Sequence, residues 1–548
     1  MATSSAYTII IGAGSAGCLL AERLSRNPSR AVLVLEAGRH APMVSDIPAL
    51  WTSMFNSEVD WGYHTEPQPG ACMRRIYSPR GKMVGGSGSI NAMICMRGIP
   101  SDYDGWREAG CPGWGWHDVK SYFLRIERNS RDDPEHHGAN GPIDVTDAGP
   151  LDPIEQAWID AALACGLPRN DDFNGARQEG VGCYQFNIYS GERASSARAL
   201  LMPALARPNL QLVTGARVLR LLMRGRRVCG VEYLRQGHVE RAEAAGEVIL
   251  CAGAVGTPHI MLLSGLGPAQ DLKKMGVEVR LDLPGVGRNL LDHPHLSTTW
   301  STHQALGLSH MDERAHASKM ALWSDTRSGP YSSNGSRVGA CVRSAPSVCD
   351  PDLQLYCTAS ANRSHGRFLA MEPGITLSAT LQRPKSIGRI SLRSNDPLED
   401  PLIDPAYLSD PDQEDVATLV KALRLQRTIA AQEPLRAWLK HESPMSAHCQ
   451  SDSEIAGYVR AHCMTIFHLS GSCRMGMDER AVVDPATMKV HGVDGLCVVD
   501  ASVFPKIVSG NINTPVMMVA EKAADLLLGT GYGSCGAGPL GLDAREDM

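Results

Sequence analysis

The stretch Tyr7-Thr8-Ile9-Ile10-Ile11-Gly12-Ala13-Gly14-Ser15-Ala16-Gly17-Cys18-Leu19-Leu20-Ala21-Glu22-Arg23-Leu24 decides how the rest of the chain is read. Its first five residues, rich in β-branched side chains, predict a fully buried strand, and the residues after Gly17 predict a helix. Between them lies G-x-G-x-x-G. Gly12 permits the tight turn, Gly14 lets the backbone approach a pyrophosphate, and Gly17 lets the helix pack closely on the strand, with the phosphate charge at the helix N-terminus. Ala31 to Leu35 predicts a second strand ending in Glu36, 19 residues after Gly17, where a carboxylate accepts hydrogen bonds from ribose hydroxyls. Strand, glycine turn, helix and strand make the βαβ unit of a parallel, doubly wound sheet, so the chain opens with a dinucleotide-binding domain.

Around that unit, 548 residues leave room for more than one small module, and 43% hydrophobic with 20% charged residues excludes disorder and fibrous architectures. Lys plus Arg (53) against Asp plus Glu (59) gives a net charge of −6, which supplies no positive field for nucleic acid or an anionic membrane. The basic cluster Arg220, Arg224, Arg226 and Arg227 straddles Gly225 and is read as solvated turn charge. The 16 cysteines include no C-x-x-C pair and are expected to be free thiols. No leader pattern precedes the first glycines and no run reaches the roughly 18 apolar residues of a membrane span. A cytoplasmic protein is therefore expected.

Further along, Pro153 to Cys165 predicts a helix, and Leu210 to Val213 and Val218 to Met223 predict strands, with a hairpin turning at Gly225. Val248 to Cys251 is a strand running into Ala252-Gly253-Ala254, as where a buried strand meets a cofactor. Val498-Val499-Asp500-Ala501 reads as another strand end, before a helix over Val516 to Leu528 that buries Met517, Ala520, Ala524 and Leu527. Thr298 to Ala461 carries no glycine-rich strand-to-helix turn and reads as a different domain; Gly529 to Met548 reads as a frayed tail.

Arg80-Gly81-Lys82-Met83-Val84-Gly85-Gly86-Ser87-Gly88-Ser89-Ile90-Asn91, with its four glycines, suits a backbone bending tightly around a ligand. Together with Gly253-Ala254-Val255-Gly256-Thr257-Pro258 through Gly267, Leu283 to Leu290, Asp292-His293-Pro294 and the block Phe467 to Leu527, it closely resembles the glucose-methanol-choline (GMC) flavoprotein oxidoreductase family. The resemblance implies an α/β fold: an FAD-binding, doubly wound Rossmann-like domain and a second, α+β substrate domain on an antiparallel sheet. The FAD domain is expected over 1–150, 195–298 and 462–530, the substrate domain over 151–194 and 299–461, and a flexible tail over 531–548. Residues expected at the cofactor are Gly12, Gly14, Ser15, Ala16, Gly17, Glu36, Val84, Gly86, Asn91, Val218, Ala252, Asp500 and Ala501.

The same resemblance implies that His468 is the catalytic histidine and that Asn511 stands where relatives carry a second histidine or an asparagine. The chemistry suits them. Oxidising an alcohol removes a hydroxyl proton while the carbon gives up hydride, and a neutral imidazole accepts that proton at cellular pH. An asparagine amide orients the hydroxyl and stabilises developing alkoxide charge. Where some relatives join a histidine covalently to flavin, this chain has Ile90, so FAD is expected to be noncovalent. The expected activity is oxidation of a small alcohol's CH–OH group, with oxygen or a quinone-like carrier as acceptor. A hydroxynitrile lyase that keeps FAD without redox turnover is the alternative. Asn511 resembles choline-type members without identifying choline. His462, Cys463, His468 and Cys473, and the pair His136-His137, lack the spacing of structural zinc sites, so no metal is expected.

Overall fold

Tyr7–Ile11 lies inside a seven-stranded sheet of the computed structural model, which describes residues 7–305, 308, 313–364, 367–368 and 373–530. The expected tail, 531–548, lies outside the described residues. On one side Ile9 and Ile10 face Leu33 and Val34 of Val32–Glu36; on the other they face Val248 and Ile249, near the end of His238–Leu250. Leu210–Thr214 adds beyond Val32–Glu36 and Leu496–Val498 beyond Val248, and all of these pairs are parallel. Such strands are buried on both faces, which is why they read as continuous apolar runs. The helix Ser15–Leu24 packs along the last helix, Asn513–Leu528, and Arg23 Nε donates to both carboxylate oxygens of the buried Glu521 at 3.0 and 2.9 Å.

His238–Leu250 is longer than its apolar end, Val248–Leu250, suggests. Its first half alternates in exposure and pairs antiparallel with Arg227–Arg235, which returns to Arg217–Arg224 through Gly225 at φ +59°. The predicted hairpin is thus the edge of a three-stranded antiparallel flap continuous with the parallel sheet.

A second seven-stranded sheet is antiparallel: Leu439–Glu442, Pro294–Thr302, Gly374–Leu381, Leu353–Thr358, Val338–Val342 and Gly180–Cys183 lie side by side, and Met464–Thr465 pairs with the start of Pro294–Thr302. On one face Leu355, Cys357, Leu377 and Ala379 form a core with Ile154 and Trp158 of Pro153–Ala164 and with Ala422 and Ile429 of Glu414–Ala430. Strand period forces the alternate residues to the other face, and these are polar. The architecture is therefore α/β and doubly wound, joined to an α+β unit on an antiparallel sheet. Among the described residues no helix is long and apolar enough to cross a membrane.

Candidate active site

A cavity of about 610 Å³ opens where the carboxyl ends of the parallel strands meet the polar face of the antiparallel sheet. Ile11, Glu36, Cys251 and Asp500 reach it from those strand ends, the position at which doubly wound sheets take their ligands. The three glycines have separate jobs here. Gly12 adopts φ +99°, and a Cβ on it would stand 2.5 Å from the Cys251 carbonyl oxygen; a Cβ on Gly17 would stand 1.9 Å from the Gly12 oxygen. A Cβ on Gly14, at φ −78°, meets nothing closer than 3.9 Å and would point into open space beside the cavity.

The helix that follows Gly14 has neither a side-chain cap nor an acid in its first turn, so its first N–H groups face the cavity free to bind an anion. Gly86 approaches this turn so closely that its own Cβ would lie 2.8 Å from Gly14 Cα. Arg80 donates through Nη1 to the Phe467 carbonyl, whereas its Nη2 is buried at the cavity with no hydrogen-bond partner among the described residues. Arg193, 2% exposed, donates to the Ser45, Gly88 and Asn91 carbonyls and to Asn91 Oδ1, which fixes the glycine-rich loop. An uncapped helix end, a glycine with empty space in place of a Cβ, and an orphaned guanidinium donor fit a dinucleotide carrying a flat polar ring.

Glu36 accepts from the Ala13 and Gly38 N–H groups, each at 2.8 Å, yet burial pushes its carboxyl up to about 7. Further donors from a ribose would pull it back down, because hydrogen bonds to the ionised form favour ionisation. Asp500 accepts from Gly253 N–H, Thr257 Oγ1 and Ser502 N–H, joining two strand ends.

At the opposite end of the cavity stands His468. Its backbone N–H donates to Asp292 Oδ1 at 2.7 Å, and Asp292 also binds Tyr407 and Thr465, so one buried carboxylate sets the backbone that carries the ring. His468 Nδ1 lies 2.8 Å from His293 Nδ1, and His293 Nε2 lies 3.1 Å from the Gln382 carbonyl oxygen. A carbonyl only accepts, so His293 carries its proton on Nε2 and accepts at Nδ1, which requires the His468 proton on Nδ1. His468 Nε2 is then left unprotonated, its lone pair turned to the cavity and accepting from Asn511 Nδ2 at 3.4 Å. Gln354 Nε2 donates to Asn511 Oδ1 at 3.4 Å and so orients that amide, while Gln382 Oε1 takes the neighbouring Gly510 N–H. Burial, then His293, Arg80 and His295, hold His468 well below an ordinary imidazole, and burial pulls His293 down to about 3.

Of the residues singled out from sequence, Gly12, Gly14, Ser15, Ala16, Glu36, Gly86, Asn91, Val218, Ala252, Asp500, Ala501, His468 and Asn511 line this cavity. Gly17 and Val84 do not: Gly17 packs under the turn, and Val84, 1% exposed, bonds through its N–H to Arg39. Ile90 also lines it. The sequence reading gave no role to Asp292, His293, Gln382, Arg80 or Arg193. Asp292-His293-Pro294 was legible as a motif, but its contact with His468 spans 175 residues and has no local signature.

This arrangement defines a dinucleotide-binding α/β protein with a buried imidazole facing a ligand chamber. The GMC oxidoreductase family models match residues 6–295 and 384–520, and the chain belongs to that family. It is 39% identical over 527 residues to an alcohol dehydrogenase (acceptor) of Pseudomonas putida, covering 95% of each chain. It is 38% identical to the mitochondrial choline dehydrogenase of Mus musculus, covering 95% of this chain and 89% of that one. Its structure is similar to pyridoxine 4-oxidase from Mesorbium loti with a TM-score of 0.86 at 31% identity, covering 95% and 98%.

Proposed function

We propose that the chain is an FAD-dependent oxidoreductase that oxidises the CH–OH group of a small alcohol to the aldehyde or ketone, with His468 as base. The observation that carries this reading is the hydrogen-bond series from the Gln382 carbonyl through His293 to His468, which leaves an unprotonated Nε2 beside Asn511 in the cavity. FAD when bound supplies the two-electron acceptor for the carbinol hydrogen. Gly12, Gly14, Ser15, Ala16 and Glu36 would hold its adenosine diphosphate half, and Gly86, Asn91, Ala252, Asp500 and Ala501 would border the rest, noncovalently, since Ile90 offers no linking atom. His468 Nε2 takes the hydroxyl proton and Asn511 Nδ2 donates to the oxygen as negative charge develops on it. Asp292, His293 and Gln382 act through His468 and are positioning residues.

Anaerobic addition of an alcohol substrate bleaches the bound flavin; a cyanohydrin-cleaving lyase turns over with its flavin still yellow. The second outcome overturns the redox reading. Acid precipitation releases the yellow colour into the supernatant, and colour retained by the pellet contradicts noncovalent binding.

Glu36→Ala weakens FAD binding by roughly 10- to 150-fold, the equivalent of a lost hydrogen bond to a charged group at about 1.5–3 kcal/mol. Because Glu36 titrates near 7 and ribose donors favour its ionised form, the wild type binds FAD more tightly above pH 7 than below it. Titration of the cofactor-free protein on both sides of that pH checks both statements, and the alanine variant loses this difference. His293→Phe lowers the limiting rate of flavin reduction about 5- to 150-fold, because a buried donor on His468 loses its acceptor. His293→Gln, which restores an acceptor, recovers part of the loss; a purely steric role for His293 predicts no such recovery.

A further inference from the structure

The polar face of the antiparallel sheet is a grid. Register places His295 beside Thr380 and Gln354, Ser297 beside Ser378 and Tyr356, and Thr299 beside Thr376 and Thr358. Nine consecutive inward positions on three strands are polar, and all but Gln354 and Thr380 line the cavity. Burying so many hydroxyls is costly unless they find partners. Several do: His295 Nδ1 pairs with Thr380 Oγ1 at 2.8 Å, Ser297 Oγ with His295 Nε2 at 3.1 Å, and Thr358 Oγ1 with Ser336 Oγ at 2.6 Å. The Tyr356 hydroxyl, on a residue 3% exposed, lies against Asn511 and Thr380, which both favour its oxygen, but it completes no well-formed hydrogen bond among the described residues. A phenol facing the chamber with its hydrogen bonding incomplete, beside the amide opposite the base, points to a hydrogen-bonding group on the ligand.

The charges around the chamber point the same way. Among the described residues lining the cavity, the carboxylates are Glu36 and Asp500, both at the parallel-strand ends and both committed to backbone N–H groups. Arg74 and Arg80 line it nearer to His462 and His468, and burial keeps His295 neutral by pulling it to about 4. On the aromatic wall Trp51 and Phe467 each meet Phe55 edge to face, at 84° in both contacts.

We propose that this chamber takes an uncharged alcohol whose body carries further hydroxyl groups, and that it discriminates against quaternary ammonium alcohols such as choline. The proposal rests on the alcohol-oxidising reading, and it separates this chain from the choline dehydrogenases it is similar to. Neohexyl alcohol tests the charge alone, because a quaternary carbon replaces the nitrogen of choline at nearly the same shape. A hexanetriol tests the hydroxyl grid.

In anaerobic stopped-flow reduction of the FAD-loaded protein, neohexyl alcohol is expected to show a second-order constant at least about 10-fold above that of choline. In Tyr356→Phe the ratio of the triol constant to the neohexyl constant is expected to fall about 10-fold, whereas a merely structural tyrosine would lower both together. Choline equal to or better than neohexyl alcohol overturns the proposal, as does an unchanged ratio in Tyr356→Phe. If none of the three reduces the flavin, the chamber is judged by titrating the flavin spectrum, and the redox reading by the cyanohydrin assay. Saturation by neohexyl alcohol at lower concentration than by choline supports the proposal; the reverse order, or no saturation by either, overturns it.

Discussion

His468→Ala lowers the anaerobic rate of flavin reduction by alcohol about 10²- to 10⁴-fold while FAD stays bound. Among the described residues the imidazole is the side-chain base hydrogen-bonded to Asn511, and it lies apart from the glycine cradle. Asn511→Ala, which removes one donor to the developing alkoxide, costs about 10²- to 10³-fold. Stopped-flow absorbance reads the reduction step without interference from the final electron acceptor, and flavin content after gel filtration shows whether the cofactor was kept. Reduction of the alanine variant at the wild-type rate would remove His468 from the chemistry while leaving the family assignment intact.

Gly14→Val abolishes tight FAD binding, by at least about 100-fold, without unfolding the protein. The backbone at Gly14 already has a φ any residue adopts, and its Cβ position is open, so the cofactor-free variant keeps its thermal stability to within about 0.5 kcal/mol. The added methyl groups occupy the space beside the uncapped helix end that a pyrophosphate needs. Gly17→Ala does the opposite, because its Cβ would collide with the Gly12 carbonyl, backbone against backbone. That variant loses about 1–3 kcal/mol or more of stability, and its FAD loss follows from the damaged turn. Thermal melts of the two cofactor-free variants separate these causes; a Gly14→Val protein that retains full FAD content contradicts the placement of the phosphates.

The opening βαβ unit was legible because its signals are local: an apolar run, three glycines, a helix and a carboxylate within 30 residues of chain. The antiparallel half was opaque for a physical reason. Strands such as Leu353–Thr358 and Gly374–Leu381 alternate as half-buried strands do, but their polar residues face an internal cavity instead of solvent, so the pattern does not say which side carries function. His468 and Asn511 came from a motif. What holds them did not: the Gln382, His293 and Asp292 contacts join segments scores of residues apart, and only the folded chain brings those partners together.

The central claim is that a neutral imidazole, locked with its lone pair on Nε2, receives the alcohol proton. The pH dependence of the limiting rate of anaerobic flavin reduction tests it most directly. Burial and the neighbouring His293 and Arg80 keep His468 unprotonated well below 6.5, so the wild-type rate should hold level as pH falls through that value and decline only at lower pH. The His468→Ala protein should be slow throughout. A wild-type rate already half lost at pH 6.5 or above, or an alanine variant tracing the same profile at the same height, would contradict the account.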